Sequence, residues 1–434
     1  MLWKTKISID SEIALTRSGS DIYLLGTTFT ISPYKDIWLA KMNMTSGAIR
    51  WSKRIGSATS TVTESYLGST TDDAGNLHIL GQAGSEMAHI TVTPEGAITS
   101  MRVSDRFGNP NNPIIFNGKL YFIGATLVSG SNVSTLQYIN LSSKMVRSAT
   151  VSRVTGATSA LNAFGFSIDE TGLIHVIGSK GYNGAVGVHY VQVTEEISAY
   201  GPSNSYHYYN NTTSASIPGG ARVVTTSAGK TYVITTMATQ SGSVTYRSVN
   251  ILTHTGAAYG KLSQVAALQA GYSIANMRCQ AVGSFIYILA STATSANGSF
   301  ISFLFKFNTT NNSVVYRKVF NYNGAPARAT DMVFTEDGKV YLAVTIDATN
   351  KAIYAFASET DMLNNTERGL SISDAPPDYG QPGALTEQFN ALSGIMSNTV
   401  SYTSLTYVSN NKNISPVYSY AFVKQRLAGF ICGG

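Results

Sequence analysis

The chain has 434 residues, 43% of them hydrophobic and only 12% charged, so its polar surface has to come from Ser, Thr, Asn, Gln and Gly. The 25 tyrosines and the apolar content exclude a disordered chain, which would combine low hydrophobicity with high charge. The net charge of +6 comes from singly scattered Lys and Arg, so no nucleic-acid partner is expected, and the absence of any long apolar run argues against membrane insertion.

The opening segment, "MLWKTKISIDSEIAL", alternates apolar and polar residues and has no apolar core of the kind an export signal carries. Beyond it, a glycine turn followed by an apolar run occurs seven times: "SGSDIYLLGTTF", "AGNLHILGQA", "NGKLYFIGAT", "TGLIHVIGSK", "AGKTYVITTM", "GSFIYILAST" and "DGKVYLAVTI". The runs open at Ile22, Leu77, Leu120, Ile174, Thr231, Ile286 and Val340, at spacings of 55, 43, 54, 57, 55 and 54 residues. The glycine two or three places earlier supplies the positive φ that a tight hairpin turn needs. A short strand precedes each turn, as in "RVVTT" and "DMVFT". A third strand follows each run after a polar loop, as in "DIWLAKMNM" and "FISFLFKF", and a second turn leads into a fourth, such as "IRWSKRI" or "VYRKVF".

Four antiparallel strands in each unit of about 54 residues, in seven copies, predict an all-β chain folded as a seven-bladed β-propeller. The second strand is almost continuously apolar because neighbouring blades would cover both of its faces. The seventh unit has no fourth strand of its own. Trp3, Lys6 and Ile7 repeat the pattern of Trp51, Arg54 and Ile55, so residues 2–7 are predicted to complete the last blade and remove an open seam.

"DDAGNLHILGQA", taken with "DIWLAKMNMTSGAIRWSKRIG", resembles the SBBP family of bacterial β-propeller repeats over residues 36–81. The resemblance fades in later units, where "KMN" becomes "TVT" or "NIL". It implies a propeller and leaves the activity open, since such repeats serve many roles. The propeller is predicted to occupy residues 1–372, with a C-terminal docking extension at 373–434. That extension opens with the Pro/Gly break "SDAPPDYGQPG". "ALTEQFNALSGIM" then places Leu385, Phe389, Leu392 and Met396 on one helical face, and two strand-like runs, "TVSYTSLTYVS" and "PVYSYAFVKQRL", follow.

No H-E-x-x-H, C-x-x-C, Walker loop or G-x-S-x-G is present, so no catalytic residue, cofactor or metal is expected and the chain reads as a non-enzyme. "SIDETG" and "TEDG" fall on hairpin turns, where Asp-Gly chemistry is ordinary, and lack the alternating oxygens of a calcium loop. His78 and His175 stand in the slot that Tyr23, Tyr121, Tyr232, Tyr287 and Tyr341 fill elsewhere, which marks them as packed strand residues with a polar tip. His89 and His189 in third strands read the same way, and Cys279 and Cys432 do not suggest a disulfide framework.

The short glycine turns share one end of the ring, and the long variable connections share the other. Candidate binding residues are therefore Tyr34 in "TTFTISPYKD", Tyr182 in "GSKGYNGAVG", and Tyr206, His207, Tyr208 and Tyr209 in the link "GPSNSYHYYNNTTSASIPGG". Rings beside neutral hydrogen-bonding groups suit carbohydrate or protein recognition; the alternative is that they fold inward as a plug. An uncharged hydroxyl-rich surface with an appended tail leads to the expectation of a virion component, assembled in a host cytoplasm as part of a larger assembly. A bacteriophage tail or surface protein would have other virion subunits and a host glycan or surface protein as partners. The alternatives are a bacterial cell-surface or periplasmic adhesion module, and a polysaccharide-degrading propeller enzyme.

Overall fold

A computed structural model describes residues 1–434 apart from 32–33, 57–62, 85, 105–112, 129–130, 151–161, 183–184, 196–204, 211–220, 242–243, 255–258, 269–271, 295–299, 348–349, 368, 376–388, 392–404 and 408–434. Among the described residues the strands form seven sheets, all antiparallel. The first holds Ala14–Ser18, Asp21–Ile31, Tyr34–Asn43 and Ile49–Ile55. The second holds Glu64–Thr71, Leu77–Ala83, Glu86–Val92 and Ile98–Ser104. The third holds Ile114–Phe116, Lys119–Val128, Ser131–Asn140 and Val146–Thr150. The fourth holds Asn162–Ile168, Ile174–Tyr182, Ala185–Val193 and Ser205–Asn210. The fifth holds Ala221–Thr225, Thr231–Ser241, Val244–His254 and Tyr259–Leu268. The sixth holds Tyr272–Val282, Phe285–Thr294, Phe300–Asn308 and Ser313–Tyr322. The seventh combines Arg328–Phe334, Val340–Thr345 and Asn350–Phe356 with the N-terminal strand Trp3–Ser8.

Radially repeated four-stranded sheets that pack face to face make this a β-propeller. Its core lies between the sheets. Tyr23 and Leu25 pack with Leu77 and Ile79 of the second sheet, while Ile22 and Leu24 pack with Val333, Tyr341 and Ile353 of the seventh. Both faces of one strand are thus buried, which is why the run reads as continuously apolar in the sequence. The turn glycines Gly19, Gly75, Gly118, Gly172, Gly229, Gly283 and Gly338 all have φ between 55° and 84°, the left-handed region that a side chain disfavours.

The two chain ends meet in the seventh sheet, where Trp3 lies opposite Ala355 and Ile7 opposite Lys351. Trp3 is buried against Tyr341, and its indole donates to the Met44 carbonyl of the first sheet at 2.9 Å. Beyond the seventh sheet, a short helix at Glu359–Leu363 is capped by Ser358, whose side chain accepts from the Asp361 amide. The chain then returns as Leu370–Asp374, which pairs with the outer strand of the sixth sheet and crosses the expected 372/373 boundary.

Two expectations need correcting. "SYHYYN" is not part of a loop: Ser205–Asn210 is the outer strand of the fourth sheet, with Tyr206 opposite Tyr190 and Tyr208 opposite Val188. Alternating aromatics favour a pleated strand, and the third strand needed a partner for its open edge. Phe389, expected on a helix, lies in the three-residue strand Phe389–Ala391, which pairs with Tyr208–Asn210. Backbone pairing at a free edge outweighs a local apolar period in so short a segment. Leu385, Leu392 and Met396 lie outside the described residues, as do "PVYSYAFVKQRL" and Cys432. Part of the run "TVSYTSLTYVS", Leu405–Tyr407, pairs with Val146–Ser148.

Trp3→Ala should cost about 3–5 kcal/mol in urea unfolding, through lost burial and the lost bond to Met44. Deleting residues 2–7 should lower the melting temperature further and promote aggregation from the exposed edge. An unchanged transition in both variants would mean that the N-terminal strand contributes nothing to closure.

Candidate functional site

At the glycine-turn end, the tyrosine tips of five sheets reach beyond their own sheet. The Tyr121 hydroxyl donates to the Glu195 carbonyl at 2.8 Å, Tyr341 to Met44 at 3.2 Å, and Tyr23 to Gly75 and Tyr232 to Thr309 at 3.4 Å each. Tyr287 donates to the Glu359 carboxylate at 2.8 Å, and Lys306 joins the same oxygen at 2.7 Å. Burial pushes Tyr23 up to about 12 and raises Tyr232, Tyr287 and Tyr341 as well, so these four phenols remain neutral donors.

His78 and His175 take the tyrosine slot with a different partner: each meets an aspartate of its own hairpin, Asp72 at 3.1 Å and Asp169 at 3.0 Å. His78 also contacts His89 at 3.0 Å between ring nitrogens, with the rings stacked. With His78 donating from Nε2 to Asp72, its Nδ1 accepts from His89. Burial lowers both histidines, His89 to about 3, so the pair is neutral in the fold. His89 and His78 are buried and their bonds internal, which makes them structural, as the sequence implied. The side chain of His189 lies outside the described residues.

The inner strands are linked to one another around the channel. The Gln280 amide bonds the Phe334 backbone in both directions, at 2.6 and 2.9 Å. Thr71 donates to the Arg17 carbonyl at 2.9 Å, Thr330 donates to the Ile13 carbonyl at 3.0 Å, and Ser167 meets Thr225 at 3.0 Å. Within this frame lies a cavity of about 320 Å³, lined by inner-strand residues of the first, second, sixth and seventh sheets. Arg17, Tyr66, Ser69, Arg278 and Asp331 supply its chemistry. Asp331 accepts from the Leu15 and Met332 amides, each at 2.9 Å, and its Oδ1 lies 3.7 Å from Arg278 Nε. Burial pushes the Asp331 carboxyl up, and Arg278 and the two amides oppose that shift. Ser69 Oγ sits 2.6 Å from Thr16 Oγ1 and 3.1 Å from the Tyr66 hydroxyl.

Sequence reasoning missed this central site and looked instead to the loops. Tyr34 and Tyr182 do fall at the hairpin tips opposite the glycine turns, where Tyr34 pairs with Ile31 and Tyr182 with Ala185. Tyr206, His207, Tyr208 and Tyr209 stand on the outer rim of the fourth sheet. The side chains of these six residues lie outside the described residues. Among the described residues no group of three or more His, Cys, Asp or Glu is placed to hold a metal, and no helix is long and apolar enough to cross a membrane.

No protein-family model matches the chain, and no curated protein matches it. Solved structures do. Drosophila Plexin A in complex with Semaphorin 1b is 10% identical, over 81% of this chain and 86% of that one, with a TM-score of 0.46. The polysaccharide lyase Uly1 is 10% identical, over 80% and 90%, with a TM-score of 0.44. The Dos1 propeller is 9% identical, over 81% and 94%, with a TM-score of 0.42. Likenesses this distant carry no argument about activity.

The neutral His89 makes the fold acid-sensitive. A base whose folded pKa lies below its unfolded one binds fewer protons when folded, so stability falls as pH drops below about 6.5. Between pH 7 and pH 5 the His89 contribution alone should amount to about 2 kcal/mol. Denaturant titrations at the two pH values check this, and His89→Gln should flatten the difference. A pH-independent wild type would show that the pair titrates in the fold as it does in the unfolded chain.

Proposed function

We propose that the chain is a non-enzymatic recognition and assembly propeller, a structural or adhesion component of a virion whose rim meets neighbouring subunits or a host surface glycan or protein. Strand addition at the rim carries the reading. Leu370–Asp374, Phe389–Ala391 and Leu405–Tyr407 add antiparallel to outer strands of the sixth, fourth and third sheets. Outer strands that accept extended chain through backbone hydrogen bonds suit assembly by the same mode. An uncharged, hydroxyl-rich composition with 12% charged residues supports the virion setting, with a bacterial cell surface as the alternative. We also read the ring as seven-bladed, one blade per sheet, which the seven sheets and their pairwise cores support. In the central cavity Asp331 is tied to two backbone amides, which suits positioning better than proton transfer.

Mass spectrometry of purified virions should find the chain at fixed stoichiometry; its recovery only from bacterial envelopes would favour the adhesion alternative. A chain ending at Ala375 should keep a cooperative melt and lose incorporation, and full incorporation would remove the rim from assembly. Replacing Tyr206, Tyr208 and Tyr209 together by Ala should weaken attachment by about 1–3 kcal/mol per anchoring ring with the melt unchanged. A lower melt with attachment intact would mean that these rings pack. A glycan-turnover screen should show no cleavage.

A further inference from the structure

The strand registers bring charge to one height of the central channel. In each sheet, the residue two places after the Tyr/His slot of the second strand marks that height. Arg222 lies opposite Ile234 in the fifth sheet, Arg278 opposite Leu289 in the sixth, and Asp331 opposite Ala343 in the seventh. In the first, second and fourth sheets the equivalent positions are Ala14 opposite Leu25, Gly68 opposite Leu80, and Gly165 opposite Ile177. One arc of the ring thus carries long charged side chains where the rest of the described ring carries almost none. The third sheet's residue at this height lies outside the described residues.

Along this arc Arg278 and Asp331 form an ion pair. Asp331 already accepts from two backbone amides, and Arg278 stands 3.7 Å away, beyond hydrogen-bond length. Arg222 is close enough to Arg278 that the like charge, added to burial, lowers it to about 10. Arg17, exposed, rims the same cavity. Two guanidinium groups, those of Arg278 and Arg17, thus line the cavity with one carboxylate, beside the hydroxyl chain Thr16–Ser69–Tyr66. Guanidinium matches the planar, charged oxygens of carboxylate or phosphate, and hydroxyls serve a neutral polar remainder.

We propose that this cavity binds a small oxyanion, up to the size of an acidic monosaccharide, with Arg278 as its principal contact and Arg17 at its rim. A cavity of about 320 Å³ is at the small end of ligand pockets, which limits the guest to that size. The site stands apart from the rim and does not depend on the virion reading.

Calorimetric titration of the full chain with glucuronate, inorganic phosphate and glucose, at fixed ionic strength, tests the proposal. One or both anions should bind and glucose should not; the stronger anion tells an acidic sugar from a free phosphate. Arg278→Gln should weaken anion binding about tenfold or more, and Arg17→Gln, at an exposed position, about threefold. Silence from both anions, or glucose binding as well as glucuronate, would overturn the site. So would unchanged affinity in a folded Arg278→Gln, or in Arg17→Gln should the first variant fail to fold.

Discussion

Everything in this molecule depends on the second strand of each sheet being covered on both faces. A single sheet of four short strands cannot bury its own apolar residues, so each is stable only between two others. The hydrophobic effect supplies the attraction but no orientation. Orientation comes from the Tyr/His slot, whose rings are buried and whose polar tips reach fixed acceptors. Where Tyr121 finds the Glu195 carbonyl and Tyr341 finds Met44, the acceptor belongs to the neighbouring sheet, so each bond sets how far one sheet can slide over the next. At His78 and His175 the tip turns back to its own hairpin, and the link across sheets has to come from elsewhere, as with Ser167 and Thr225 on the inner strands.

With orientation fixed at one end and on the inner strands, the channel can carry residues that do not help packing. Arg278 and Asp331 are tolerated because the surrounding backbone is already anchored by Gln280, Thr330 and the paired turns. Asp331 also has a packing role, since its bond to the Leu15 amide joins the seventh sheet to the first across the closing seam. One carboxylate therefore belongs both to ring closure and to the polar layer.

Much of this was legible in the sequence. The glycines, the recurring aromatic slot and the match of Trp3 and Ile7 to Trp51 and Ile55 each reflect a local constraint repeated at a fixed interval. The rim and the channel were harder. "SYHYYN" looks polar in one dimension, and only the unpaired edge beside it makes it a strand. The layer of Arg222, Arg278 and Asp331 leaves a faint trace, because "RVVTT", "RCQAV" and "DMVFT" begin with a charge where "GSTTD" and "GFSID" begin with glycine. That trace becomes meaningful only once the registers show that these first residues share a height. Residues far apart in sequence acquire a common chemistry through the ring alone.

The seam has a consequence for how the chain reaches its native state. Trp3 lies opposite Ala355, so the strand made first finds its partner only after almost the whole propeller has been synthesised. Contacts this distant in sequence lengthen the search for the native arrangement, although the entropy of closing so long a loop grows only logarithmically. Until then the first and seventh sheets each present an unfinished apolar face, the kind of surface that makes folding intermediates prone to association. The ring gains its closed edge at the expense of a long vulnerable interval during its own manufacture.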